Sequence, residues 1–148
     1  MGFFSAIAAT ASGLTAQRVR MDTVSGNVAN METTARPDGA GPYKRHIVRF
    51  SSGDSAMPMS SIASRLTGAS KTGVVLTQVG LDEVTPTRKV YAPAHPDSAE
   101  DGFVEMPNVD LITEMTDLTS ANRSYQANVT VLNAVKQMAL RALDIGSR

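Results

Sequence analysis

The stretch VDLITEMTDLTSANRSYQANVTVLNAVKQMALRALDI, residues 109–145, decides how this chain folds. It contains neither Pro nor Gly, and Leu111, Leu118, Tyr125, Leu132 and Ala139 recur in it every seven residues. Met115, Val129 and Leu143 each stand four residues after a member of that row. A seven-residue apolar repeat marks a helix that lays a narrow stripe along a partner helix. At 1.5 Å per residue the helix is about 55 Å long. In its last third the apolar face widens to take in Val131, Val135, Met138, Ala142 and Ile145. That is more than one partner helix covers, so further packing is expected there. Asn108, after Pro107, is the expected N-cap, Asp110 falls in the first turn where the helix dipole favours an anion, and Gly146 marks the stop.

The other end of the chain reads alike. From Phe4 to Asn30 there is no Pro, and Ile7, Leu14, Met21 and Val28 keep the same interval, with Ala11 and Val24 between them. This predicts a second helix of about 40 Å. Asn27 and Asn30 fall where it should end, and Asn satisfies orphan backbone groups or tolerates left-handed backbone there.

The middle differs. Residues 34–105 hold every proline except Pro107. Within them, residues 43–50, 73–79 and 88–91 read as short strands, and the Ser/Gly/Met stretch 51–70 as a mobile loop. The expected fold is mainly α with a small β insert. Residues 1–33 and 108–148 supply two helices paired as an antiparallel coiled coil, and residues 34–107 form a small β-rich domain. Two helices leave each other's outer faces wet, so the missing packing is expected from other subunits.

Composition narrows the function. Of 148 residues, 14 are Lys or Arg and 14 are Asp or Glu, and a formal net charge of zero argues against nucleic acid or anionic lipid as partner. The absence of Cys excludes disulfides, thiolate metal sites and thiol catalysis. No run approaches the roughly 20 apolar residues of a membrane span. Ala9-Thr10-Ala11 imitates a signal-peptidase site, but the first basic residue is Arg18, so a cleaved signal with a basic n-region is not expected.

No catalytic, cofactor or metal site is expected. His46 alternates within a strand and His95 lies between two prolines, so both read as surface residues. Asp97, Glu100 and Asp101 lack the alternating ligand spacing of a calcium loop, and neither a nucleophile elbow nor a phosphate-cradling glycine pattern occurs. The charges are segregated, however. Residues 90–122 carry seven acids and no Lys or Arg, while residues 36–49 carry Arg36, Lys44, Arg45 and Arg49 against Asp38. Two readings stand open: the belts meet between copies of a head-to-tail polymer, or the acidic face closes on the basic strand within one chain. Tyr125 reads as core with a hydroxyl that wants a partner. Asn122, Asn128 and Asn133 are poor helix formers, which suggests lateral hydrogen bonds.

Particular strings carry a resemblance. They are Gly102 to Asp110 (GFVEMPNVD), Glu114-Met115 and Arg123 to Val129 (RSYQANV), together with Arg20 to Asn30 (RMDTVSGNVAN), Gly41 to Arg45 (GPYKR) and Val90 to Pro96 (VYAPAHP). Together they resemble the bacterial flagellar basal-body rod proteins, and within them the proximal-rod type, over nearly the whole chain apart from residues 51–70. Phe103, Asp22, Ala92 and Ala94 depart from the residues usual there.

The resemblance implies an axial-protein core domain and a non-enzymatic building block of the rod, the hollow driveshaft in the periplasm. It implies torque transmission, a lumen for exported subunits, and export through the flagellar type III apparatus without a cleaved signal peptide. Its implied partners are other copies of itself, rod proteins of the FlgB and FlgF types, and the FliE-type adaptor to the MS ring. Rival readings are another flagellar axial protein, or a secreted helical adaptor or chaperone that does not polymerise. Stripes and motifs together give an expected subunit-interface set of Ile7, Leu14, Met21, Asn27, Val28, Asn30, Arg45, Met106, Asn108, Leu118, Tyr125, Asn128, Leu132, Val135 and Leu143.

Overall fold

The computed structural model describes residues 3–36, 39, 41–52 and 73–146. Along the chain run α1 (Phe3–Ala29), β1 (His46–Ser52), β2 (Val74–Leu81), β3 (Arg88–Tyr91), β4 (Phe103–Met106) and α2 (Leu111–Gly146). The two long helices therefore stand where the proline-free stretches end. α1 closes at Asn30, whose backbone N–H still reaches the Gly26 carbonyl at 3.2 Å and whose Nδ2 donates to the same oxygen at 2.9 Å.

The start of α2 corrects the expected cap. Asp110, not Asn108, is the capping residue: its Oδ1 accepts from the Ile112 N–H at 3.2 Å, its Oδ2 accepts from the Thr113 hydroxyl at 2.7 Å, and its carbonyl takes the first helical bond, from Glu114 N–H, at 3.0 Å. Asn108 is two residues too early to reach those amides and is used elsewhere.

The helices pack against each other antiparallel. A Cβ on Gly13 would lie 3.1 Å from Asn128 Nδ2, and Asn27 Nδ2 donates to Glu114 Oε2 at 3.0 Å. Between these contacts the chain advances 14 residues along α1 and retreats 14 along α2. Gly13 allows the close approach at the first point; at the second a hydrogen bond holds it. Among the described residues, the buried apolar side chains of the pair are Ala16, Val24, Ala121 and Val135.

The expected stripe on α2 is thereby shifted. The residues turned fully onto α1 include Glu114, Ala121 and Val135, while Leu118, Tyr125, Leu132 and Ala139 are half-buried along the edge of the seam. Leu111, Met115 and Leu143 are exposed. An apolar count could not find this row, because a carboxylate and an asparagine occupy two of its positions. On α1, Ile7, Leu14, Met21 and Val28 are likewise half-buried, while Ala16, Val24 and Asn27 are buried.

The described residues form two sheets of two strands each. β1 pairs antiparallel with β2, with an irregularity between Arg49 and Phe50. This hairpin lies on α1: the Val74 N–H donates to Ser12 Oγ at 3.0 Å, and the Arg20 guanidinium sits 5.0 Å over the Phe50 ring. β3 pairs antiparallel with β4, bringing Tyr91 and Phe103 together edge to face at 5.3 Å. Gly102 turns the chain into β4 with φ +74, and a Cβ there would meet the Tyr91 ring at 2.8 Å.

Three strand expectations need correction. β1 starts at His46 and keeps Ser51 and Ser52, so residues 43–45 are loop; residues 53–70 of the expected mobile loop lie outside the described residues. β2 runs on to Leu81. β4 was not expected, since four residues between Gly102 and Pro107 carry too little alternation to announce a strand.

Candidate assembly site at the helix joint

The last turn of α1, the loop before β1 and the first turn of α2 meet in one polar network. Asn27 is its centre, 1% exposed inside a helix that does not end there. Its Nδ2 donates to the His46 carbonyl at 3.0 Å and to Glu114 Oε2 at 3.0 Å. Its Oδ1 accepts from the His46 N–H at 2.8 Å and the Tyr43 hydroxyl at 2.9 Å. All four hydrogen-bonding positions of the amide are thus filled. Tyr43 has a single hydroxyl proton and gives it to Asn27, so His46 Nδ1 carries the hydrogen of its 2.6 Å contact with the Tyr43 oxygen.

Glu114 has no exposed side-chain surface, yet it is charge-compensated. Arg45 Nε donates to Oε1 at 2.5 Å while Asn27 holds Oε2, and the same guanidinium reaches Asp117 through Nη2 at 3.4 Å. An unpaired carboxylate at that depth would be costly, and removing one partner of such a pair typically costs several kcal/mol. Burial, and behind it the Glu114 charge, raises the Tyr43 pKa above its ordinary value.

A second node lies beneath. Asn108 Oδ1 accepts from the Arg45 N–H at 2.8 Å, and its Nδ2 donates to the carbonyls of Asp82 at 3.2 Å and Thr85 at 3.0 Å. Asp82 Oδ2 accepts from the Thr85 hydroxyl at 2.8 Å, and Oδ1 from the N–H groups of Val84 at 3.0 Å and Thr85 at 3.1 Å. The bonds from Thr85, hydroxyl first, hold the Asp82 carboxyl below the usual range. Asn108 therefore pins the approach to α2 onto the turn that follows β2.

These contacts revise several expectations. Asn27 and Asn108, expected at a subunit interface, spend their polar atoms inside the chain. Arg45 closes on Glu114 and Asp117 of its own chain, so for this residue the intrachain reading of the charge belts holds. His46 is a member of the network, not an idle surface residue. Glu114 and Tyr43 were not singled out as site residues. Their signal was present in the strings GPYKR and Glu114-Met115, but no local pattern says that two such strings touch.

The other expected interface residues are distributed over the surface of the helix pair. Ile7, Leu14, Met21, Val28, Leu118, Tyr125, Asn128 and Leu132 are half-buried along it, Val135 is buried against α1, and Asn30 caps α1. Met106 is half-buried at the end of β4, and Leu143 is exposed. Around them Ile112, Met115, Val131, Met138, Leu140 and Ile145 also face outward.

The network draws one residue or more from each of three separated strings, around residues 20–30, 41–45 and 102–115. Two family models match the corresponding ends of the chain. One, described as flagella basal body rod protein, covers residues 7–36, and the other, flagellar basal body rod FlgEFG protein C-terminal, covers residues 100–145. The chain is 43% identical to the flagellar basal-body rod protein FlgC of Bacillus subtilis over 99% of both chains. It is 42% identical to that of Borreliella burgdorferi over 98% of both, and 32% identical to that of Aquifex aeolicus over 97% of both. The chain belongs to the FlgC family of flagellar basal-body rod proteins. The first family model thus covers α1 from Ile7 on and the turn after it, and the second spans β4 and nearly all of α2. Among the described residues of this FlgC-family chain, no helix is long and apolar enough to cross a membrane.

Proposed function

We propose that this chain is a structural subunit of the proximal rod of the bacterial flagellar basal body. Residues 1–33 and 108–148 form its core domain, an antiparallel coiled coil, and residues 34–107 a small β-rich domain. Copies polymerise into the hollow driveshaft that transmits torque and passes exported subunits. Its neighbours are rod proteins of the FlgB and FlgF types and a FliE-type adaptor, reached after type III export into the periplasm without signal cleavage. The relatives named FlgC support the rod assignment.

The observation that carries this reading is the mismatch between what the chain buries and what it leaves wet. Among the described residues its buried apolar side chains are Ala16, Val24, Val104, Ala121 and Val135, while on α2 Leu111, Ile112 and Met115 near its start and Val131, Met138, Leu140, Leu143 and Ile145 in its last third stay exposed. A monomer rarely leaves so much apolar surface bare, and a polymer covers it. The test is to purify basal bodies from the source bacterium and from a strain deleted for this gene. The chain should be present in the first at the rod, and the second should lack a rod and fail to swim. A swimming deletion strain with intact rods would refute the assignment.

A further inference from the structure

We propose that the outer face of the β3–β4 sheet is a docking surface for an Arg- or Lys-bearing segment of a protein other than this chain. This goes beyond the rod-subunit reading and does not depend on it.

In the antiparallel register Tyr91 stands opposite Phe103 and Lys89 opposite Glu105, so these four side chains share one face of the sheet. Val90 and Val104 fall on the other face, where Val104 is buried. The outer face is open: Tyr91 is 66% exposed and Phe103 44%, although the two rings meet edge to face. Aromatic rings, Tyr above all, are enriched where proteins meet and often anchor the contact.

The connection between the strands is fixed by its own backbone. The Ala92 N–H donates to the Gly102 carbonyl at 3.0 Å, the Ala99 N–H to the Phe103 carbonyl at 3.0 Å, and the Gly102 N–H to the Ala99 carbonyl at 2.9 Å. The last of these closes a turn whose two central residues are Glu100 and Asp101, both exposed. Gly102 brings this turn against the Tyr91 ring, at a distance that leaves no room for a Cβ. Two carboxylates are thus held next to the aromatic pair before any partner arrives, which lowers the ordering cost of binding.

The charge of this face selects the occupant. Residues 90–106 carry four acids, Asp97, Glu100, Asp101 and Glu105, and no Lys or Arg. Two of the four are engaged: Asp97 accepts from the Thr34 hydroxyl at 2.6 Å, and Glu105 faces Lys89 at 3.8 Å. Among the described residues, no basic group pairs with Glu100 or Asp101. An open aromatic face bordered by two uncompensated carboxylates complements a guanidinium or ammonium group, since the ring attracts the cation and the carboxylates accept its N–H bonds. A second copy is the poorer source of that cation. Its densest cationic stretch, residues 36–49, spends Arg45 on Glu114 and Asp117 of its own chain.

A photoreactive ring placed on this face identifies what covers it. Tyr91→p-benzoylphenylalanine and Phe103→p-benzoylphenylalanine are made singly in the full-length chain, which replaces the wild-type chain in the source bacterium. Living cells are irradiated and the cross-linked peptides identified by mass spectrometry. At one position at least, the attachment should fall in a segment of another protein with Lys or Arg beside the attachment point. Glu100→Gln combined with Asp101→Asn removes both free charges from exposed turn positions, and should cut that cross-link, normalised to the amount of chain, about threefold or more. Attachment to a second copy of this chain, to a glycan strand, or to a segment without Lys or Arg would overturn the proposal. So would a yield that the neutralised turn leaves unchanged, or no cross-link at either position. None of these results touches the rod assignment, which the deletion strain tests by itself.

Discussion

Asn27 on α1 and Glu114 on α2 lie 87 residues apart in sequence and 3.0 Å apart in space, amide nitrogen to carboxylate oxygen. That bond is the shortest statement of how the two ends of the chain are joined. Because Asn27 also holds His46 and Tyr43, pairing of the helices and docking of the loop before β1 share one side chain.

Asn27→Asp should therefore uncouple both. It replaces an amide donor with a second carboxylate against Glu114, in a buried site, and should cost about 3 kcal/mol or more at neutral pH. A carboxyl pair sharing a buried site raises at least one folded-state pKa above its unfolded value. The folded state then binds more protons, so the variant's stability should rise as pH falls through that raised pKa. Urea melts followed by circular dichroism between pH 5 and 8 measure this; a variant whose deficit does not shrink toward pH 5 would contradict it.

Arg45 tests which reading of the charge belts operates. Arg45→Met leaves Glu114 buried with only the Asn27 amide for company, and should cost about 2–3 kcal/mol, less than a fully enclosed pair because Arg45 is partly solvated. Adding Glu114→Gln removes the stranded charge and should recover part of the loss. Glu105→Lys should recover none, since Glu105 faces Lys89 at 3.8 Å and not Arg45. Urea midpoints of the purified chain measure both, and a loss that Glu114→Gln does not relieve would show that Arg45 is not what compensates Glu114.

The Asp110 cap predicts an acid dependence. The Thr113 hydroxyl bond, then the Ile112 N–H, lower the Asp110 pKa in the folded chain. A folded-state pKa below the unfolded one contributes stability that is present above the ordinary Asp range and lost as pH falls through the lowered value. Asp110→Asn keeps an acceptor for the Ile112 N–H but has no proton to gain. Its stability should fall less steeply than wild type in melts from pH 5 to 2.5, and parallel curves would show that the cap carries no linkage.

The fold was legible where one residue type repeats and illegible where contact is between unlike residues. Proline-free stretches and a seven-residue interval located both helices within a residue or two. They misplaced the buried seam, because Glu114 and Asn128 stand in its row and neither scores as apolar core. Glu114 can occupy such a place only because Arg45 and Asn27 arrive from elsewhere, and a linear pattern cannot state that. The same limit hid β4, whose partner β3 supplies the register, and turned Asn108 into an expected cap when three backbone groups of distant residues claim its amide.

The difference between seam and outer face yields the final prediction. Ala121 has no exposed surface, so Ala121→Leu must force the helices apart or strain a rotamer, and should cost about 1–3 kcal/mol in the monomer. Val131, on the same helix, is half exposed, and Val131→Ser should change monomer stability by no more than about 0.5 kcal/mol. In the bacterium the order should not simply follow stability. If a neighbouring subunit covers the outer face, Val131→Ser removes an apolar contact at every copy in the rod, and swimming in soft agar should fall although the purified chain melts like wild type. A Val131→Ser strain that swims normally would show that this part of α2 stays wet in the rod. An Ala121→Leu chain with unchanged melting would show that α1 and α2 do not meet along the row of Glu114, Ala121 and Val135.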